Sequence, residues 1–144
     1  LQLFISKGGI FLKEDVVNIS TRKDIKVEID DCWIVEQESY DFNPLHDHNT
    51  KTPAGLSGVF YVRIPWEFAN RPQPSPNGQL YFVWGNQISP DVNNFRSVET
   101  AEILVEEGLF VIFPKSLGHM VLPYKEKYKD SRICIAFNIN IFWN

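Results

Sequence analysis

The 144-residue chain carries only three histidines, and two of them, His46 and His48, are separated by a single residue. In an extended segment the side chains at i and i+2 project from one face, so both imidazoles can reach one metal ion while Asp47 points away. The third, His119, lies far along the chain, just after Phe113-Pro114-Lys115-Ser116. Two ligands from one edge of a small barrel and a third from a distant strand meet the requirement of a facial triad. Such a triad leaves three positions of an octahedral metal open for substrate and oxygen. Each residue also has an ordinary reading. A lone histidine near a loop is usually solvent-exposed or hydrogen-bonded, and a His-x-His pair can belong to a surface loop that binds nothing.

The elements that must position these residues are short β-type runs separated by turn residues. In Lys23–Asp30 the apolar Ile25, Val27 and Ile29 alternate strictly with charged residues, the pattern of a half-buried strand. Further runs follow at Cys32–Val35, Leu56–Ile64, Gln79–Trp84, Ala101–Val105, Leu109–Phe113, Met120–Leu122 and Arg132–Phe142, with an edge at Gly9–Leu12 and Leu3–Ile5. Lys125–Ser131 and Ser97–Glu102 have helical propensity but are too short to be stable without tertiary contacts. Glu106-Glu107-Gly108 predicts a tight turn with Gly108 free to take positive φ. Strands of this number and spacing predict an all-β sandwich or barrel with Greek-key or jelly-roll connections. The proline-rich segment 65–78 and the polar segment 85–96 are long enough to act as lids or binding loops. Gly8-Gly9 is a turn without the strand and helix context of a phosphate loop.

Composition narrows the function classes. With 14 Lys+Arg against 18 Asp+Glu the net charge is −4, so the general positive field behind non-specific nucleic-acid binding is missing. No apolar run is long enough to span a bilayer and Leu1 opens no secretion signal, which leaves a cytoplasmic setting as the simplest expectation. Cys32 and Cys134, far apart and flanked by strand-like residues, are expected as buried thiols. The length suits one domain. The chain does not begin with Met, and a segment upstream is expected to be missing.

The ordered blocks His46-Asp47-His48, Leu56-Ser57-Gly58-Val59-Phe60-Tyr61-Val62, Gly78-Gln79-Leu80-Tyr81-Phe82, the run from Glu107-Gly108-Leu109 to Gly118-His119, and Arg132-Ile133-Cys134-Ile135-Ala136-Phe137-Asn138 carry a family likeness. Together, over residues 31–142, they resemble the small 2-oxoglutarate/Fe(II)-dependent oxygenases of marine bacteria and phages, relatives of the prolyl hydroxylases. That resemblance implies a double-stranded β-helix, a cupin-like jelly-roll barrel with iron near its open mouth, filling residues 1–144 and lacking part of its N-terminal support. It implies Fe(II), 2-oxoglutarate and O2 as metal, cosubstrate and oxidant, and His46, His48 and His119 as ligands. Arg132, thirteen residues after the distal histidine, falls where such enzymes keep a basic residue for the far carboxylate of 2-oxoglutarate. Tyr61 corresponds to a tyrosine that donates to that carboxylate, and Ser57 on the same face would line the same pocket. A guanidinium suits the task because it grips a carboxylate bidentately and keeps its charge.

The departure from the wider superfamily is at position 48, where most relatives carry an acidic ligand. Either the site is three-histidine, or the loop bends so that Asp47 ligates instead; the shared face of i and i+2 favours three histidines. The expected reaction couples oxidative decarboxylation of 2-oxoglutarate to hydroxylation of an unknown substrate, a protein side chain or a small molecule. Loops 65–78 and 85–96 would choose it. A homodimer is compatible with this reading, and a phage protein would act in the host cytoplasm. Two competing readings stand beside it: a cupin-like three-histidine metal enzyme that does not use 2-oxoglutarate, and a non-catalytic β-sandwich binding module. On the last reading Tyr61 is a plain strand aromatic, Arg132 a surface charge beside Lys129 and Asp130, and Asn138 and Asn140 ordinary strand alternation.

Overall fold

Turn-punctuated runs of β-branched and aromatic residues bury their apolar faces most readily as paired sheets, and the computed structural model has that form. It describes residues 2–6, 9–13, 25–49, 51–65, 78–85, 99–124 and 130–143. Ten strands follow in order: β1 (Gln2–Ser6), β2 (Gly9–Lys13), β3 (Ile25–Gln37), β4 (Asn43–His46), β5 (Gly55–Arg63), β6 (Leu80–Trp84), β7 (Glu99–Ile103), β8 (Phe110–Pro114), β9 (Gly118–Val121) and β10 (Arg132–Trp143). They form a six-stranded sheet, β1-β2-β8-β5-β10-β3, and a four-stranded sheet, β4-β9-β6-β7. From β3 onward the chain crosses between the sheets at every connection except the β6–β7 pairing, which makes the protein an all-β jelly roll, a double-stranded β-helix. Among the described residues there is no helix, and so none long and apolar enough to cross a membrane.

The core lies between the sheets, where Leu80, Phe82 and Ile103 of the small sheet meet Val111 and Phe113 of the large one. Phe82 and Phe113 pack edge to face with centroids 4.9 Å apart, an arrangement aromatic quadrupoles favour. Gly108 takes φ 81° in the turn before β8, as expected there. Gly58 is required for a different reason. A Cβ on it would come within 2.2 Å of the Phe137 ring, which lies across β5 and stacks on Phe110 at 5.4 Å.

Several expectations are corrected. The two runs 23–30 and 32–35 are parts of one strand, β3, and its apolar alternation faces outward: Val27 and Ile29 are 59% and 69% exposed. The cause is a bulge against β10, where Asn138 pairs with Asp31 but Ile139 pairs with Ile29. One extra residue switches which parity faces the interior. Cys32 is exposed and only Cys134 is buried, because Cys32 has the outward parity, opposite Phe137. The helical propensity of Ser97–Glu102 loses to pairing, since Glu99–Ile103 is β7, hydrogen-bonded to β6. Asn138 and Asn140 do alternate in β10, but with the polar parity on the inner face. They are buried, while Ile139 and Ile141 are half-buried. The expected helix 125–131 falls outside the described residues except for its last two positions, and loops 65–78 and 85–96 do so except at Pro65, Gly78 and Gly85.

Candidate metal centre and the adjoining cavity

Asn43-Pro44 opens β4, whose His46 stands in register with His119 of β9, and His119 is in turn opposite Phe82 of β6. His48 follows two residues later, its backbone N–H bonded to Lys115 O at 2.9 Å. This fixes the segment 46–48 against the small sheet and brings three imidazoles together. Each of His46, His48 and His119 offers a ring nitrogen within 4.8 Å of the others. Asp47, the alternative ligand, is exposed and is not in that group.

The hydrogen bonds decide which nitrogens face each other. His46 Nδ1 contacts Pro44 O at 2.6 Å and His119 Nδ1 contacts Leu117 O at 3.0 Å. A carbonyl can only accept, so both Nδ1 atoms carry a proton, and in the neutral ring that leaves Nε2 to present the lone pair. His48 Nε2 lies 3.1 Å from His119 Nε2. Adjacent ligands of an octahedral metal at about 2.1 Å would be about 3.0 Å apart. Burial pushes the His119 pKa down to about 4, against the raising effect of the Leu117 carbonyl. His48 is lowered as well, by burial and by the neighbouring His46. Neutral imidazoles with oriented lone pairs are the form that a metal requires. The donor set therefore fits a divalent transition metal, and Phe113, 4.7 Å from His119 edge to face, walls it on the core side.

The cavity lined by the three histidines runs on to Arg132, Tyr61 and Ser57, so the candidate residues share one space. Arg132 is 1% exposed. It donates from Nη1 to Gly78 O at 2.5 Å and from Nη2 to Gln37 Oε1, while Nε has no partner among the described residues. Neither acceptor is charged. Tyr61 is buried, and desolvation holds its phenol well above the ordinary tyrosine range, with the nearby Arg132 pulling the other way; it stays a protonated donor. Ser57 donates to Asn138 Oδ1 at 2.8 Å. Burial also raises the Cys134 thiol, which keeps this cavity-lining sulfur protonated and unreactive.

Sequence reasoning missed Gln37, Trp33 and Asn43, which line the same cavity, and Tyr124, whose hydroxyl donates to Gln37 O at 2.6 Å. The parity Trp33, Val35, Gln37 within one strand was the available signal; ending the run at Val35 hid it.

Comparison with known proteins gives a family and a fold. A sequence profile of the family described as "Putative 2OG-Fe(II) oxygenase" matches residues 31–138, and the chain belongs to that family. Its fold is similar to the crystal structure of AviO1 from Streptomyces viridochromogenes Tue57, with TM-score 0.51 and 18% identity over 78% of this chain and 50% of that one. The chain thus spans about half the length of AviO1. No curated protein matches the sequence.

Proposed function

We propose that this protein is a 2-oxoglutarate- and Fe(II)-dependent dioxygenase in which His46, His48 and His119 hold the iron and Arg132, Tyr61 and Ser57 receive 2-oxoglutarate. The observation that carries this reading is a single cavity with three convergent imidazoles along its wall and, further along, a buried guanidinium that makes no ion pair among the described residues. An unpaired buried cation is costly. A ligand with a metal-chelating keto acid at one end and a carboxylate at the other matches both features. When bound, the iron supplies the oxidising chemistry: O2 and 2-oxoglutarate are consumed, succinate and carbon dioxide leave, and one oxygen atom is inserted into a substrate C–H bond.

The chain's own residues prepare that chemistry. Pro44 O and Leu117 O lock two imidazoles so that their lone pairs converge, which removes a reorientation cost at metal binding. Arg132 has five N–H donors and has spent two, leaving three, Nε among them, for an anion. Tyr61 adds a neutral hydroxyl donor. Leu80, Val121 and Phe113 make the walls apolar, which excludes water and strengthens the charge-assisted contacts. Loops 65–78 and 85–96 are the proposed substrate selectors: Gly78, at the end of the first, bonds Arg132, and Gly85, at the start of the second, lines an open groove beside His46.

The test is aerobic incubation with Fe(II) and 2-oxoglutarate, with succinate measured. The expected result is metal-dependent succinate formation that is lost in Arg132→Ala and in His119→Ala. A protein that binds iron at the triad yet never consumes 2-oxoglutarate, with candidate substrates present, would point to a three-histidine metal enzyme of another kind.

A further inference from the structure

Arg132 and Gln37 are directly opposite each other in the β10–β3 ladder, both on the inner face and both buried. Gln37 Oε1 accepts from Arg132 Nη2, and Gln37 is itself held by the hydroxyl of fully buried Tyr124 on its backbone carbonyl. Tyr124 is anchored in turn, its own carbonyl accepting from Tyr40 N–H at 2.9 Å. Gly78 O takes the other terminal nitrogen. Two neutral acceptors thus fix the plane of the guanidinium from two sides. The acidic side chains of the adjoining turn, Glu38 and Asp41, are exposed, and Asp41 Oδ2 is already engaged by Glu38 N–H at 2.8 Å.

The identity of residue 37 then matters more than its size. A carboxylate there would meet Arg132 fork to fork, satisfy it internally and cancel its charge inside the cavity. The amide accepts one hydrogen bond and leaves the positive charge whole. Building on the dioxygenase reading, we propose that Gln37 is a positioning residue that presents Arg132 oriented but uncancelled to the far carboxylate of the cosubstrate. By this it makes the pocket select keto acids that carry a second carboxylate. Its role is confined to the Arg132 end of the cavity; the metal end does not depend on it.

That confinement supplies the test. Cobalt(II)-loaded protein is titrated calorimetrically with 2-oxoglutarate and, separately, with oxalate, which chelates the metal without reaching Arg132. Gln37→Glu, which is isosteric, is expected to weaken 2-oxoglutarate binding by roughly 30-fold or more and to leave oxalate binding and cobalt stoichiometry unchanged. Gln37→Met removes the acceptor without adding charge and is expected to weaken 2-oxoglutarate by only about fivefold, again sparing oxalate; it carries the test alone if the glutamate variant does not fold. Undiminished 2-oxoglutarate binding in Gln37→Glu overturns the proposal, as does an equal loss for both ligands, which would make Gln37 a structural residue only. Arg132→Ala separates the two levels. If it binds 2-oxoglutarate as tightly as the parent, the anchor itself is wrong, and the role of Gln37 falls with it; if it loses binding while Gln37→Glu does not, only the Gln37 proposal fails.

Discussion

The two ends of the cavity meet the cost of burying polar groups in opposite ways. At the histidine end burial favours the neutral ring: desolvation takes His119 down to about 4 and lowers His48, and backbone carbonyls accept hydrogen bonds from the Nδ1–H groups of His46 and His119. At the other end Arg132 cannot lose its proton, and its partners among the described residues are two neutral oxygens. The difference teaches where binding energy is stored. On the proposed reading, the metal site is preorganised by orientation, whereas the Arg132 end holds a charge that the far carboxylate of the cosubstrate would balance.

The largest expected effect breaks the neutral end. His119→Ala removes the central, most buried imidazole and should weaken Fe(II) or Co(II) binding by about a thousandfold, beyond the roughly 10- to 100-fold typical of outer-shell losses, as measured by equilibrium dialysis. Next, Arg132→Met should cost about 100-fold in 2-oxoglutarate affinity with metal binding retained, while the metal-free protein unfolds at an equal or higher urea concentration, since a buried unpaired charge has gone. Loss of stability in that variant would mean that the guanidinium is a structural member of the fold and not a waiting site.

Acidification sharpens the contrast. The folded-state pKa of His119 lies below its ordinary value, so as pH falls the unfolded chain takes up the proton first. Stability of the metal-free protein should be full above about pH 6.5 and decline toward pH 4, by up to about 3 kcal/mol from this residue. Urea titrations at pH 7 and pH 5 measure it, and His119→Gln should flatten the slope. The smallest effect on the site should come from Gly58→Ala, which displaces the Phe137 ring and should cost about 1–3 kcal/mol of stability while leaving metal affinity unchanged.

These contrasts also explain what was legible in the sequence. His46 and His119 each bond a carbonyl two residues earlier in the chain, so their orientation is a local property, and i, i+2 spacing on an extended segment exposed it. Arg132 depends on partners 54 and 95 residues away; nothing in the residues near it distinguishes a buried anchor from a surface charge, and only family resemblance drew attention to it. The strands were visible as turn-bounded runs, but their faces were not. The alternation of Val27 and Ile29 states a period of two without saying which parity is inside, and a single bulge opposite Asn138 and Ile139 decides that. In the same way, the alternation of Asn138 and Asn140 in β10 does not say which face is inside; the bond from Ser57 of β5 to Asn138 in the interior does.

The central claim is that one cavity binds metal and 2-oxoglutarate jointly, through the histidines at one end and Arg132 at the other. The most direct measurement is 2-oxoglutarate affinity under anaerobic conditions, with and without Fe(II), in the parent and in Arg132→Ala. The account predicts one metal per chain in both proteins, and tight 2-oxoglutarate binding only where metal and Arg132 are both present. Binding of 2-oxoglutarate that is equally tight without metal, or indifferent to Arg132, would contradict it.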